Sequence, residues 1–328
     1  MTLGSTEKRP VRLRGVLAAC ALLLAAAACI GNLDRASRVH DLRILAISAD
    51  PPDYVVPQSY DPGSGKPPSI PHFRIRALLG DAPGAQRTLS WRITTCGKPS
   101  ALRCEGVDAG VGELMLLGEG QAEPVDGLLE VGAELGTLEQ LVSLQPLLED
   151  AMKNDPYYGF GGLPLVVAVR VWADGEEIFG GKRIPFWLPI PKEYAEIVPN
   201  RMPPEPVIVF DGVVALPGDV PQVKGSWLGL DVFPTDPALH ETYYVPTFDG
   251  ELEKLREAWS FAWYTTKGSF SPETSGGWDP ILKEDAETKT RLEIAEGTEP
   301  GPFKVVCVVR DGRGGEIWTV RDAEYLGP

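Results

Sequence analysis

The stretch FKVVCVVRDGRGGEIWTVRDA (303–323) decides the fold. Side chains alternate between the two faces of an extended chain, so Phe303, Val305, Cys307 and Val309 share one face. Lys304, Val306, Val308 and Arg310 share the other. Asp311-Gly312 marks a turn, and Glu316-Ile317-Trp318 opens a second strand. An earlier stretch, VVAVRVWADGEEIFGGKRI (166–184), has the same plan. Both read as a β-branched strand, a Gly/Asp turn, Glu-Ile-aromatic and then a second, basic strand. Upstream of them, LSWRITTCG (89–97) matches FAWYTTKGS (261–269), and 42–52 and 207–217 each open with a strand that runs to proline. The order and rough spacing agree, so the chain reads as two copies of one domain.

Period-2 alternation extends through the rest of each copy. Phe73, Ile75, Ala77 and Leu79 form one set, Leu89, Trp91 and Ile93 another. Leu228, Leu230 and Val232 follow, then Trp259, Phe261 and Trp263. One apolar and one polar face is what antiparallel sheets with a single buried face require. Two stretches have helical spacing. In Leu138–Met152 the apolar positions are 138, 141, 144, 147 and 148, with Pro146 as a break. Glu251–Ala258 is shorter. A strand with one central Trp, followed much later by a hairpin, is the immunoglobulin-like pattern, in which the Trp packs between two sheets. Trp91 and Trp263 are then core markers. Cys307 stands where that fold has its second core cysteine, and it is expected as a buried free thiol because the strand near Leu228 has no Cys.

The fold class is therefore mainly β: two Ig-like sandwiches in tandem, the first with a partly helical insertion, preceded by a lipoprotein signal peptide. The expected segments are a signal peptide (1–28), a lipidated cysteine and tether (29–40), a first domain (41–192, insertion about 105–158) and a second domain (207–328). The Pro-rich run 193–206 separates the domains, because few of its residues can join a ladder.

Composition supports this plan. The chain has 328 residues, 43% of them hydrophobic, with 36 Gly and 31 Pro. Such punctuation suits many short strands and turns. Net charge is −15. Lys8, Arg9, Arg12 and Arg14 lie before residue 28, so removal of that segment leaves the rest more acidic still. Nucleic acid requires a basic footprint, which is lacking.

Residues 1–15 are polar and basic. Val16–Ala28 then reads VLAACALLLAAAA, long enough for a signal-peptide core and too short to span a bilayer. Leu24-Ala25-Ala26-Ala27-Ala28-Cys29 resembles the lipobox of bacterial lipoproteins, with Ala26 where that family most often has Leu. The resemblance implies cleavage before Cys29, diacylation of its sulfur and acylation of its new amine. More than one acyl chain makes a durable anchor. The expected location is the cell envelope, at the outer membrane rather than the inner. Cys96 and Cys104 bracket the loop CGKPSALRC. In an oxidising compartment they read as a local disulfide, the rival being a metal pair with no further His or Cys nearby. LRILAISADPP (42–52) and VVRDGRGGEIW (308–318) resemble lipoproteins with Ig-like or PKD-like domains from myxobacteria and related bacteria, a group that carries no assigned activity.

Chemistry-bearing motifs are sparse. His40, His72 and His240 lie far apart, and no HExxH, nucleophile elbow, P-loop or dinucleotide fingerprint occurs. No enzyme, metal or cofactor is expected. Asp174-Gly175-Glu176-Glu177 and Asp311-Gly312-Arg313 offer too few oxygens for Ca²⁺ and read as solvated type I′-like turns. Trp172, Trp187, Trp227, Trp278 and Trp318 are candidates for a sugar-stacking set, core packing being the competing fate. The expected function is binding or scaffolding for a protein or glycan partner at the envelope. The alternatives are a structural subunit of a larger envelope assembly and, third, an unrecognised enzyme.

Overall fold

A computed structural model describes residues 36–55, 71–96, 99–100, 103–104, 113–137, 139–140, 143–144, 163–187, 198–233, 239–247, 249 and 251–328. Residues 1–35 lie outside it, and with them the apolar run and Cys29. In the first half the strands are β1 (Arg43–Asp50), β2 (Tyr54–Val55), β3 (Phe73–Gly80), β4 (Leu89–Cys96), β5 (Pro99–Ser100), β6 (Arg103–Cys104), β7 (Glu113–Ala122), β8 (Leu128–Leu135), β9 (Leu163–Ala173) and β10 (Glu176–Trp187). They make a three-stranded sheet, β1-β3-β8, and a five-stranded one, β2-β10-β9-β4-β7. Phe73, Ile75, Ala77 and Leu79 from the first sheet meet Leu89, Ile93, Val167, Val169 and Val171 from the second in one buried core.

The second half repeats this plan. Its strands are β11 (Val207–Phe210), β12 (Val213–Val214), β13 (Gln222–Val223), β14 (Trp227–Phe233), β15 (Thr242–Pro246), β16 (Leu252–Arg256), β17 (Ser260–Thr265), β18 (Ser269–Ser271), β19 (Thr274–Gly276), β20 (Trp278–Asp279), β21 (Glu284–Asp285), β22 (Thr290–Glu293), β23 (Gly301–Arg310) and β24 (Glu316–Tyr325). Sheets β12-β11-β14-β22-β18 and β13-β24-β23-β17-β19 enclose a core that contains Ile208, Phe261, Trp263, Phe270, Leu292 and Cys307. In each half a long antiparallel hairpin, β9–β10 or β23–β24, forms the middle of one sheet, and a two-residue strand adds in parallel to its last residues. The repeat seen in the sequence is thus a repeat of topology, two Ig-like sandwiches in tandem.

Several expectations change. Glu251–Ala258 is not helical: Leu252–Arg256 is a strand paired with Thr242–Pro246, residue 256 opposite 242. A hairpin partner outweighs weak local helix preference over so short a span. Residues 113–135, expected within the insertion, are β7 and β8, full members of the two sheets. Among the described residues α-helical backbone is confined to 139–140 and 143–144. It starts in a capping box, in which the amides of Gly136 and Thr137 donate to Gln140 Oε1 at 2.9 Å and Gln140 N donates to Thr137 Oγ1 at 3.3 Å. The tether expected to reach residue 40 also ends sooner. Ser37 and Val39 are buried, and the backbone of Ser37–Val39 pairs with Thr265 at 2.8 and 2.9 Å.

Ala36–Pro328 forms a single compact unit, because the sandwiches share a third core. Ala262, Val306, Val308 and Trp318, on the outer face of β17-β23-β24, pack against Val39, Leu45, Ala46, Leu78 and Leu128. Trp318 Nε1 donates to Glu130 Oε2 at 3.2 Å, and Arg76 lies 4.9 Å from the centre of its ring. Lys182 and Glu316, both buried, pair at 3.1 Å across the same boundary. The run Val305-Val306-Cys307-Val308-Val309 is apolar at every position because both faces of β23 are covered.

Candidate functional site

One concavity among the described residues lies at an edge of the second sandwich. Asp211 and Gly212 have φ of 47° and 82°, the pair of positive values that a type I′ hairpin needs. They turn β11 back into β12, where Phe210 faces Val213. Beyond β12 the chain crosses to the other sheet. Leu216 N donates to Asp219 Oδ2 at 2.8 Å, and Glu324 N donates to Pro221 O at 3.0 Å. The β11–β12 hairpin and this crossing form a groove of about 640 Å³ lined by Phe210, Val213, Val214, Val220 and Leu228 and by the charged Asp211, Asp219 and Lys224.

Its valines are open to solvent, Val213 being 69% exposed and Val220 53%, and Gln222 and Lys224 add polar groups to the lining. β12 is the last strand of its sheet, and its outer edge offers backbone N–H and C=O groups to an added strand. An extended apolar segment fits such an edge, with main-chain bonds giving affinity and the groove accepting side chains. The sequence held one signal for this place: Asp211-Gly212 between valines is a hairpin cue, as Asp174-Gly175 is. The exposure of the valines depends on the edge position, which no local pattern reveals.

The tryptophans divide. Trp227 is 63% exposed and Trp278 54%. Trp318 is buried between the sandwiches, and Trp187 donates to Asp53 Oδ2 at 3.1 Å. Trp172 lies beside Arg170, 5.3 Å away. Trp187 and Trp318 are thus taken up by contacts within the chain and do not join a stacking row. Trp263 and Cys307 are fully buried, as expected, and stand opposite each other in register. Trp91 is only partly buried. It sits under Gly120 of edge strand β7, where a Cβ would come within 2.9 Å of its ring. Cys96 is buried at the end of β4, and the β5–β6 hairpin sets Cys104 opposite Pro99.

The two Asp-Gly turns also differ. Asp174 and Gly175 have φ of 49° and 81°, the expected type I′ hairpin. Asp311 instead begins a longer loop closed by Arg310 opposite Glu316. Its carboxylate is buried and accepts from Arg313 N at 2.7 Å and Gly315 N at 2.9 Å. His40 bonds Arg38 O, His240 lies against Trp259, and His72 stands beside Gly136. Among the described residues no group of three or more His, Cys, Asp or Glu side chains is arranged to hold a metal, and no helix is long and apolar enough to cross a membrane.

No family model and no curated protein matches the chain. Among solved structures it is similar to red sea bream transglutaminase at 10% identity and TM-score 0.26, covering 89% of this chain and 32% of that one. The three N-terminal domains of the bacteriophage RB49 outer capsid protein Hoc match at 10% identity and TM-score 0.22, covering 88% and 70%. Three Ig domains of titin match at 9% identity and TM-score 0.20, covering 88% and 65%. The chain spans about a third of the transglutaminase and about a quarter of latent PorU from Porphyromonas gingivalis. At such scores these likenesses carry no functional reading.

Proposed function

We propose that this chain is a lipid-anchored envelope protein whose paired sandwiches form a rigid binding or scaffolding module, with a protein partner docking at the β11–β12 edge. The observation that carries the docking is the exposure of Val213, Val214 and Val220 around one groove beside an edge strand. Apolar side chains gathered in this way mark interaction surfaces. The lipid anchor, through Cys29, is supported by the lipobox-like segment alone. A disulfide between Cys96 and Cys104 belongs to the same reading, because an exported chain meets an oxidising compartment.

The test has two independent arms. Cys29→Ser is expected to release the protein from membranes or leave it as precursor. A mutant as well anchored and as fully processed as wild type refutes the anchor. For the groove, a photo-crosslinker at Leu216 in intact envelopes is expected to capture a protein, and Val213→Asp with Val220→Asp is expected to abolish that capture while the fold persists. Undiminished capture removes the groove from the reading. A structural subunit of a larger assembly is the second reading, favoured by the large apolar side chains exposed away from the groove, among them Trp227 and Ile281. It predicts co-purification at fixed stoichiometry whether or not the groove is intact.

A further inference from the structure

Residues 278–285 project from the second sandwich as an apolar knob. They follow β19 and pair Trp278 with Asp285 and Asp279 with Glu284. At their base Gly277 N donates to Trp259 O at 2.7 Å and Ala286 N donates to Gly277 O at 2.8 Å. Ile281 at the tip is 87% exposed and Leu282 65%, and Trp278 is exposed below them. The tip is closed from within. Ile281 N and Leu282 N donate to Asp279 Oδ1 at 2.7 and 3.0 Å, and Lys283 N donates to Asp279 O at 2.8 Å. An amide buried without an acceptor is costly. These three amides already have acceptors, so the tip can enter an apolar site without stranding them.

The groove at β11–β12 is the concave counterpart. Phe210, Val213, Val214, Val220 and Leu228 give it apolar lining, and Asp211, Asp219 and Lys224 give it charge. The knob carries opposite signs to match: Lys283 and Glu284, both exposed, follow Leu282 along the chain. Both strands of the knob are edges of a two-stranded sheet, so either can extend β12 as an added strand. Knob and groove do not meet within one molecule. In the sheet β13-β24-β23-β17-β19, β13 borders the groove and β19 leads into the knob. These are opposite edges, four strand spacings or about 19 Å apart.

We propose that the partner of the groove is a second copy of this chain, which inserts its 278–285 knob. The proposal rests on the reading of β11–β12 as a docking edge and names what docks there. Ile281 and Leu282 enter among the valines, Lys283 faces Asp211 and Asp219, and Glu284 faces Lys224. A bilayer is the poorer occupant. Asp279, Glu284 and Asp285 flank the tip, the chain carries −15 overall, and anionic lipid attracts basic segments instead. Because knob and groove are different surfaces at opposite edges, copies join head to tail, and each addition leaves one knob and one groove open.

The purified full-length chain should gain average mass with concentration in sedimentation, followed up to about 1 mM because contacts this small bind weakly. Ile281→Asp with Leu282→Asp should stay monomeric, and so should Val213→Asp with Val220→Asp. All four positions are exposed, so the changes spare the core. An equimolar mixture of the two variants should associate again and stop at two copies, since one intact knob and one intact groove remain to meet. A mixture that stays monomeric, variants that associate as wild type does, or a wild type that stays monomeric throughout overturns the proposal. A photo-crosslinker at Ile281 in the otherwise unaltered chain gives a second readout. It should attach between residues 210 and 228 of another copy, and attachment to lipid or to a different protein overturns the assignment. If Leu216 captures a different protein while Ile281 never reaches 210–228, the docking edge stands and only the second copy fails.

Discussion

Trp263 and Cys307 are neighbours across adjacent strands, and each explains the other's setting. Trp263 is fully buried, stacks near Phe270 at 5.6 Å and donates its indole N–H to Ser275 Oγ at 2.8 Å. Ser275 passes its own proton to Thr288 O at 2.6 Å. The indole's polar edge is thus satisfied inside an apolar core, which removes the usual objection to burying Trp. Trp263→Ala should cost about 3–5 kcal/mol, as large aromatic truncations in cores do. Trp263→Phe should cost less, because it preserves most of the volume and leaves the Ser275–Thr288 bond. Chemical denaturation of the three proteins measures the order, and an Ala variant as stable as wild type contradicts the packing. Burial raises the Cys307 thiol well above its ordinary value, and the thiolate is the reactive form. Alkylation should therefore be negligible until the protein unfolds. Rapid labelling of native protein, read by mass spectrometry, would contradict a buried Cys307. Both residues were legible from phase alone. Trp91, in a similar local sequence, lies towards the open edge because its partner strand β7 offers glycines, and β7 was not recognised as a strand.

Strands with strong alternation were legible, and those whose pairing depends on distant chain were not. Phe73, Ile75, Ala77 and Leu79 announce β3 without help. β16 carries Leu252 and Leu255 at helix-compatible spacing and becomes a strand because β15 lies alongside it. β7 and β8 are rich in Gly and Glu, poor strand formers by local measure, and they are held by long registers to β4 and β3. The capping box at Thr137–Gln140 was in plain view and marks the start of helical backbone. At this scale the Cys96–Cys104 loop gives a prediction. A bond closing so short a loop contributes on the order of 2–3 kcal/mol, less any strain. Non-reducing digestion should yield one peptide pair linked through these cysteines. Recovery of both as alkylatable thiols rules the bond out.

Between the sandwiches, both faces of β23 are covered, and this was written in Val305–Val309 as an uninterrupted apolar run. The one-sided reading, with Val306 and Val308 on a nominally polar face, missed the second partner. Ala262, Val306, Val308 and Trp318 each lose their contact with water only because Leu45, Leu78 and Leu128 of the other sandwich cover them. Fully burying a Val or Leu side chain is worth about 1.5–3 kcal/mol relative to leaving it exposed, so parting the sandwiches would expose a face whose several side chains each carry such a cost. The Lys182–Glu316 pair and the bridge from Ser37–Val39 to Thr265 add specificity to the docking. Neither sandwich should therefore unfold with the other left intact. Calorimetry of the wild type should give a single transition whose calorimetric and van't Hoff enthalpies agree. Leu78→Asp places an unpaired charge in the shared core and leaves the interior of each sandwich untouched. It should split the endotherm into two, with the sandwich 1 core transition and the sandwich 2 core transition separately visible. Two independent transitions already present in the wild type would show that the shared face does not couple the sandwiches, whatever area it covers.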